Sequence, residues 1–321
     1  MSNAVIKQRM RDAFLRRIYE RMKTEEDIFF LTADFGSPVL DGMRADFPER
    51  FINVGIAEQS LINTTAGIAL EGFRVTAYAI APFLTMRCLE QIRINLAILS
   101  QVRPMNVTLL GVGAGLSYEV SGPTHQALED IAVMRAVANV DVWSPSDAGT
   151  AACMADAALE QSGIRYVRLD SFPLPDIANA STIEFRRGFR EFEMAGATVA
   201  VISTGYMTHL AQSVCAELSA AGIRAGIIDL FNLSSPDFDA LAETVASCGA
   251  ILTVEEGFIG RGGMDCLLRM NLAEKIPAAR FLHAGLLPSY NFETGPRNQL
   301  LEKHGLAPVP LAKLIIDSLK S

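Results

Sequence analysis

Arg50-Phe51-Ile52-Asn53-Val54-Gly55-Ile56-Ala57-Glu58-Gln59-Ser60 is the stretch that decides how the rest of the chain reads. A short apolar approach ends at a glycine, and a run of small and apolar residues follows over 61–70. That pattern predicts a strand or loop feeding a buried helix, with Glu58 and Gln59 on its first turn. A carboxylate there gains from the helix dipole, whereas burial beside Ala, Ile and Leu opposes its ionisation. Buried acids need a partner. Glu58 therefore calls for a ligand or a specific neighbour, unless it stands exposed as a plain helix-start acid.

Working outward, strand-like and helix-like segments alternate along the whole chain. Helices are predicted over 5–22, 57–70, 82–99, from about 126, 148–160, 208–221 and 237–246. Strands are predicted over 28–32, 74–79, 105–110, 140–143, 165–169, 198–203, 226–229 and 251–254. From Ser171 the chain turns irregular, with Pro173 and Pro175 and a polar crossing to Gly196, before the alternation restarts. Strand, helix and strand in succession imply parallel sheets with right-handed crossovers. The expectation is an α/β fold of two domains, each a mainly parallel sheet flanked by helices. The first covers 1–175, a linker 176–195, and the second 196–321.

The length of 321 residues suits two domains. Half the residues are hydrophobic, enough for large cores. A net charge of −8 without a basic run argues against nucleic acid as partner. The charged start, 1–21, lacks the apolar segment of a signal peptide, and no apolar run reaches membrane-spanning length. Five cysteines, at 88, 153, 215, 248 and 266, show no metal or CxxC spacing and read as reduced thiols. A cytoplasmic protein is expected.

Ligands of such sheets sit at the carboxyl ends of strands. That rule selects the loops 34–37, 79–83, 111–125 and 168–171, and in the second half Gly205 and 255–263. His125, one of four histidines, follows Ser121-Gly122-Pro123-Thr124 in a glycine-rich loop. It is well placed for proton transfer, or serves as a capping or structural histidine. His209, His283 and His304 read as structural. Gly111-x-Gly113-x-Gly115 has the wrong spacing for a dinucleotide loop. Glu255-Glu256-Gly257 with Gly260-Arg261-Gly262-Gly263 reads as an anion-binding turn or a tight turn for helix packing.

Three ordered motifs resemble the transketolase family: Asn53-Val54-Gly55-Ile56-Ala57-Glu58-Gln59; Phe83-Leu84-Thr85-Met86-Arg87 with Glu90-Gln91-Ile92-Arg93; and Gly122-Pro123-Thr124-His125-Gln126 with Glu129-Asp130. They resemble its pyrimidine-binding domain, and the second half, with Ile202-Ser203-Thr204-Gly205 and Val254-Glu255-Glu256-Gly257, is similar to its C-terminal domain. The resemblance implies thiamine diphosphate chemistry. It assigns Glu58 as the acid on the pyrimidine nitrogen, Phe83 as the ring stacked on the pyrimidine, and His125 as the group handling substrate protons. Arg87 would support the cofactor site or the subunit interface, and Asp34 would organise the dimer contact near the cofactor.

The Gly-Asp-Gly…Asn motif with which this family holds Mg2+ and diphosphate does not occur in the chain. A separate subunit is expected to carry that domain and the metal, in an α2β2 assembly with self-association through both domains of this β-like chain. The substrate positions implied are His125, Ser121, Ser171 and Arg168. Ser121 replaces an aspartate of sugar-phosphate members, Gly113 falls near a sugar-binding histidine, and Ser171 replaces a phosphate-gripping arginine. Losing that arginine, with Asp170 alongside, disfavours an anion. The expected reaction is two-carbon transfer, from a ketose or 2-oxoacid donor other than an ordinary sugar phosphate. The alternatives are the β component of a 2-oxoacid dehydrogenase and a non-catalytic scaffold.

Overall fold

The computed structural model describes residues 7–177 and 183–320. Part of the expected linker, 178–182, and the first residues of the expected opening helix lie outside them.

The first domain is built on a six-stranded, fully parallel sheet in the order β3-β2-β4-β5-β7-β6. Its elements are, in chain order, β1 (Lys7–Arg9), α1 (Met10–Met22), β2 (Ile28–Thr32), α2 (Pro38–Asp46), β3 (Phe51–Asn53), α3 (Glu58–Leu70), β4 (Arg74–Ile80), a helical rod over 83–101 whose middle turn is α4 (Leu89–Gln91), β5 (Asn106–Val112), α5 (Asp130–Arg135), β6 (Val140–Trp143), α6 (Ala148–Glu160), β7 (Gly163–Leu169) and β8 (Pro173–Pro175). The central strands are buried almost throughout, as a sheet covered on both faces requires.

The second domain holds β9 (Phe189–Phe192), β10 (Val199–Ser203), α7 (Met207–Ala220), β11 (Ala225–Leu230), α8 (Phe238–Val245), β12 (Ala250–Phe258), α9 (Met264–Leu272), β13 (Arg280–Leu286), α10 (Arg297–Lys303) and α11 (Pro308–Lys320). Its sheet runs β13-β12-β10-β11-β9, parallel except for the edge strand β9.

Four expectations are corrected. The opening helix begins only at Met10, because 7–9 pair antiparallel with 173–175, Arg9 opposite Pro173. Prolines suit that two-stranded ribbon because an edge position asks for few donors. The stretch read as linker contributes β9 to the second sheet. The helix expected from Gln126 starts at Asp130, since Ala127 is first drawn into a two-way backbone pairing with Gly115 at 3.0 and 3.1 Å. The long helix over 82–99 is a rod with wide π turns at Phe83–Arg87 and Ile92–Ile98. Apolar spacing does not separate a 3.6-residue turn from a slightly wider one. Such widenings are frequent at functional sites.

Buried arginines lock the two domains together. Arg190 on β9 meets Asp229 at 2.7 Å and reaches across to Asp147 at 3.3 Å, ahead of α6. Arg168, at the end of β7, donates to Asp130 at 2.7 Å and to the carbonyls of Ala127 and Glu256, both at 3.0 Å. Arg297, opening α10, binds Asp170 of the first domain at 2.5 Å and both oxygens of Glu256.

Candidate functional site

The loops that leave the carboxyl ends of β2, β3, β4 and β5 meet at that edge of the first sheet, where the crevice of an open parallel sheet binds ligands. Glu58 is the first residue of α3 and only 4% exposed. The neighbour that its burial called for is Arg87, whose Nη1 donates to Glu58 Oε2 at 2.5 Å. Arg87 closes the π turn that begins at Phe83, and its side chain is 46% exposed. Its guanidinium lies 4.8 Å over the Phe83 ring, and its carbonyl accepts from Gln59 Nε2 at 3.3 Å.

From Phe83 the wall continues edge-on to His125, with ring centroids 5.1 Å apart, and from His125 to Tyr118 at 5.9 Å. Thr124 Oγ1 lies 3.0 Å from His125 Nδ1, which leaves Nε2 as the nitrogen available to a ligand. Glu58, Arg87, Phe83 and His125, picked from three separate motifs, thus form one continuous surface. It alternates an acid, a cation, an aromatic ring and an imidazole.

Asp34 reaches this surface at one remove. It sits at φ 54° after β2 and exchanges two hydrogen bonds with Asn53: Asn53 Nδ2 donates to Asp34 Oδ1 at 3.0 Å, and Asp34 N donates to Asn53 Oδ1 at 3.1 Å. The same Asn53 oxygen accepts from Gly55 N at 3.0 Å. The pair shapes the turn that delivers Glu58. Ser121 is exposed in a turn closed by its own amide on Tyr118 O at 3.1 Å. Ser171 donates to Ser117 O at 2.9 Å, so its hydroxyl ties down the start of the same loop.

Arg168 does not join them. It is 3% exposed, and its named donors face Asp130 and two carbonyls, so its place is a domain lock and not the substrate wall. Asp170 is equally committed: Arg297 neutralises it, and it accepts from Phe172 N at 2.8 Å. Its charge is not presented to a ligand, so it does not repel anions as expected. His209 and His283 stand as structural groups, on Ser146 O at 2.7 Å and Thr253 Oγ1 at 2.9 Å. The Glu255 turn is the packing alternative realised. Its carboxylate receives the amides of Asp265 at 2.8 Å and Met264 at 3.0 Å, capping α9. Burial pushes its pKa up to about 7 even against those two amides.

Sequence reading missed Tyr118. Its ring stands 2.2 Å from where a Cβ on Gly113 would lie, and Gly113 has φ +106°. The loop therefore admits only glycine there, and the tyrosine fills the space in which the resemblance placed a sugar-binding histidine. Burial raises the Tyr118 pKa to about 12, while the nearby charges of Arg11 and Arg9 pull against it. Those arginines were also missed. Arg9 comes from the N-terminal ribbon and Arg11 from the first turn of α1 behind it, and only pairing across more than 160 positions of sequence, 9 with 173, brings them close. The signal for Tyr118 was present, as one of only six tyrosines inside a glycine-rich loop.

Among the described residues no group of three or more His, Cys, Asp or Glu is gathered for a metal ion, and no helix is long and apolar enough to cross a membrane.

Two family models match the chain: the transketolase pyrimidine-binding domain over residues 7–171 and the transketolase C-terminal domain over 190–308. The chain belongs to the transketolase family. It is similar to a subunit of the apulose-4-phosphate transketolase of Actinobacillus succinogenes, 29% identical over 95% of this chain and 96% of that one. A 6-deoxy-6-sulfo-D-fructose transketolase subunit from a Clostridium species is 26% identical over 92% of this chain and 90% of the other. Among solved structures, a split-gene transketolase described as an inactive β4 tetramer superposes with a TM-score of 0.83. It is 28% identical over 98% of this chain and 99% of its own. This transketolase-family chain thus corresponds to the pyrimidine-binding and C-terminal portion, and its relatives include individual subunits of split enzymes.

Proposed function

We propose that the chain is the β-like subunit of a two-component, thiamine diphosphate-dependent transketolase that transfers a two-carbon unit from a ketose donor to an aldehyde acceptor. The observation that carries this reading is the single wall formed by buried Glu58, Phe83 and His125. An acid shielded from water, an aromatic face and a proton-handling imidazole are the groups that a pyrimidine ring and a hydroxylated substrate ask of a protein.

When bound, the cofactor supplies a nucleophilic carbon that breaks and forms carbon–carbon bonds. Glu58 would hold the proton shared with the pyrimidine nitrogen, once Arg87 yields it; a side chain 46% exposed can turn toward water without stranding its own charge. Phe83 would offer its ring to the pyrimidine. His125, with Thr124 engaged at Nδ1, would take and return protons at the donor's hydroxyl or carbonyl oxygen through Nε2. Asp34 and Asn53 would keep the Glu58 turn in place.

The relatives that are individual subunits of split enzymes support a partner that carries the diphosphate and Mg2+ in an α2β2 enzyme. Self-association is supported by the exposed apolar side chains Ile56, Met86, Ile94, Ile98 and Val102, one just ahead of α3 and the rest along the rod and its end. For the donor, the exposed Arg9 beside Tyr118 favours an anionic tail after all. The names of the relatives, a sugar phosphate and a sulfosugar, support a modified ketose over a common one.

Mixing the chain with a second polypeptide that carries the diphosphate-binding domain, thiamine diphosphate and magnesium should give ketol transfer. In that pair Glu58→Ala should lower turnover by about 10²- to 10⁴-fold while the two chains still co-elute on size exclusion. Turnover at the wild-type level in the Glu58→Ala pair would refute the assignment.

A further inference from the structure

The wall of the site belongs to the first domain, yet the loop carrying its histidine is held from the second. The 117–126 loop contains Tyr118 and His125. The segment 291–297, between β13 and α10, touches it at three points. Gly295 N donates to Glu119 O at 3.1 Å, Arg297 N donates to Glu119 Oε1 at 2.7 Å, and Gln126 Nε2 donates to Asn291 O at 3.3 Å. The contacts fall near both ends of the loop. Tyr118, which packs on His125 and fills the space above Gly113, sits between the tied residues Ser117 and Glu119.

The 291–297 segment is itself immobilised. Arg297 is 4% exposed, with Nε on Glu256 Oε1 at 2.8 Å and Nη1 on Asp170 Oδ2 at 2.5 Å. Its guanidinium lies 3.7 Å over the Tyr206 ring. One arginine thus uses its side chain to fix β7's end against β12 and α7, and its backbone amide to fix Glu119. A buried guanidinium with paired acceptors moves only at high cost, so it offers the loop a rigid anchor.

We propose that the second domain positions the catalytic loop, with Glu119 as the positioning residue that transmits the Arg297 anchor to Tyr118 and His125. The catalytic part of this statement rests on the reading of His125 given above; the mechanical part does not. Orientation alone is a large lever, since displacing a reacting group by an ångström costs turnover about 100-fold. The second domain then has a task in the reaction although the candidate site contains none of its side chains.

The test uses three versions of the full chain: wild type, Glu119→Ala and Glu119→Gln. Glutamine keeps an oxygen to accept from Arg297 N, whereas alanine removes it. Two readouts need no cofactor: hydrogen exchange of peptides spanning 117–126, and the rate at which diethyl pyrocarbonate modifies His125, located by mass spectrometry. Glu119→Ala should speed both by about tenfold, the loss of one anchoring hydrogen bond to a carboxylate, with the thermal midpoint lowered by no more than about 5 °C. Glu119→Gln should restore both to the wild-type rate. Equal rates in wild type and Glu119→Ala, or failure of Gln to rescue, would overturn the proposal. A third measurement separates the two readings. If His125→Ala keeps full turnover in the reconstituted pair, the catalytic role falls, and the exchange data still decide the clamp.

Discussion

Arginine and carboxylate meet in two kinds of place in this molecule, and the contrast lies in slack. Between the domains, Arg190–Asp147 and Arg297–Asp170 join side chains that are all 6% exposed or less. Each guanidinium there also finds carbonyl, hydroxyl or second carboxylate acceptors. At the strand ends, Arg87 meets Glu58 with one partner sealed and the other half in water. The same chemistry serves as a bolt where both members are enclosed and as a latch where one is free to leave. What Arg87 leaves behind is an enclosed acid, and an enclosed acid demands a replacement. That demand is the physical reason to look for a ligand at Glu58 and nowhere along the domain boundary.

The comparison breaks first if a bolt proves dispensable. Arg190 is packed against Asp229 and Asp147, and Ser146 Oγ also donates to Asp229 at 2.6 Å. Burial by itself would push Asp147 up; bonds from the Thr150 hydroxyl and amide, with the Arg190 charge, hold it below the usual carboxylate range. Replacing Arg190 by Met strands two buried carboxylates, and urea unfolding should register a loss of about 3–5 kcal/mol. A loss below about 1 kcal/mol, the size of a surface pair, would erase the distinction between bolt and latch.

Glu255 sharpens it from the side of pH, since this enclosed acid is bonded by two backbone amides and not by a guanidinium. Its carboxyl titrates near 7 in the folded chain against 4.5 as the ordinary value. Below 4.5 both folded and unfolded forms are protonated. Between the two values the folded state keeps a proton that the unfolded state has released, so stability falls as pH rises and levels off above about 7. At 1.36 kcal/mol per unit the drop is at most about 3 kcal/mol. Glu255→Gln should flatten that slope in urea titrations at pH 5, 6 and 7. A slope of equal size in the variant would assign it to other groups.

These features were not equally legible beforehand. The alternation of apolar segments located most strands, because a strand buried on both faces writes itself as a continuous apolar run. Glu58, Phe83 and His125 were legible because each sits in a local motif at a strand's end. Arg168 was misread for a physical reason: its position at the end of β7 is right for a ligand contact, but its fate is decided by Asp130 and Glu256, one in each domain. Tyr118, Glu119 and Arg297 act through contacts spanning up to 178 positions, which no periodicity records. The π turn at Phe83 was hidden for another reason. Arg87 closes a widened turn and meets Glu58, and the apolar pattern that announces a helix does not record the widening.

The smallest effect is expected at the latch itself, and it is the most telling. A double-mutant cycle of Arg87→Met and Glu58→Gln, followed by urea unfolding of the lone chain, measures the coupling between the two side chains alone. Geometry at 2.5 Å with a charged donor argues for a strong bond. Exposure argues the other way, because water competes for a guanidinium that is nearly half open and salt screens it. The second consideration wins where one partner reaches bulk solvent, so the coupling should be about 0.5–1 kcal/mol and should shrink further at high salt. A coupling of about 3 kcal/mol or more, insensitive to salt, would class the pair with the interdomain bolts. Glu58 would then be a structural acid already satisfied within its own chain, with no need of a ligand to complete it.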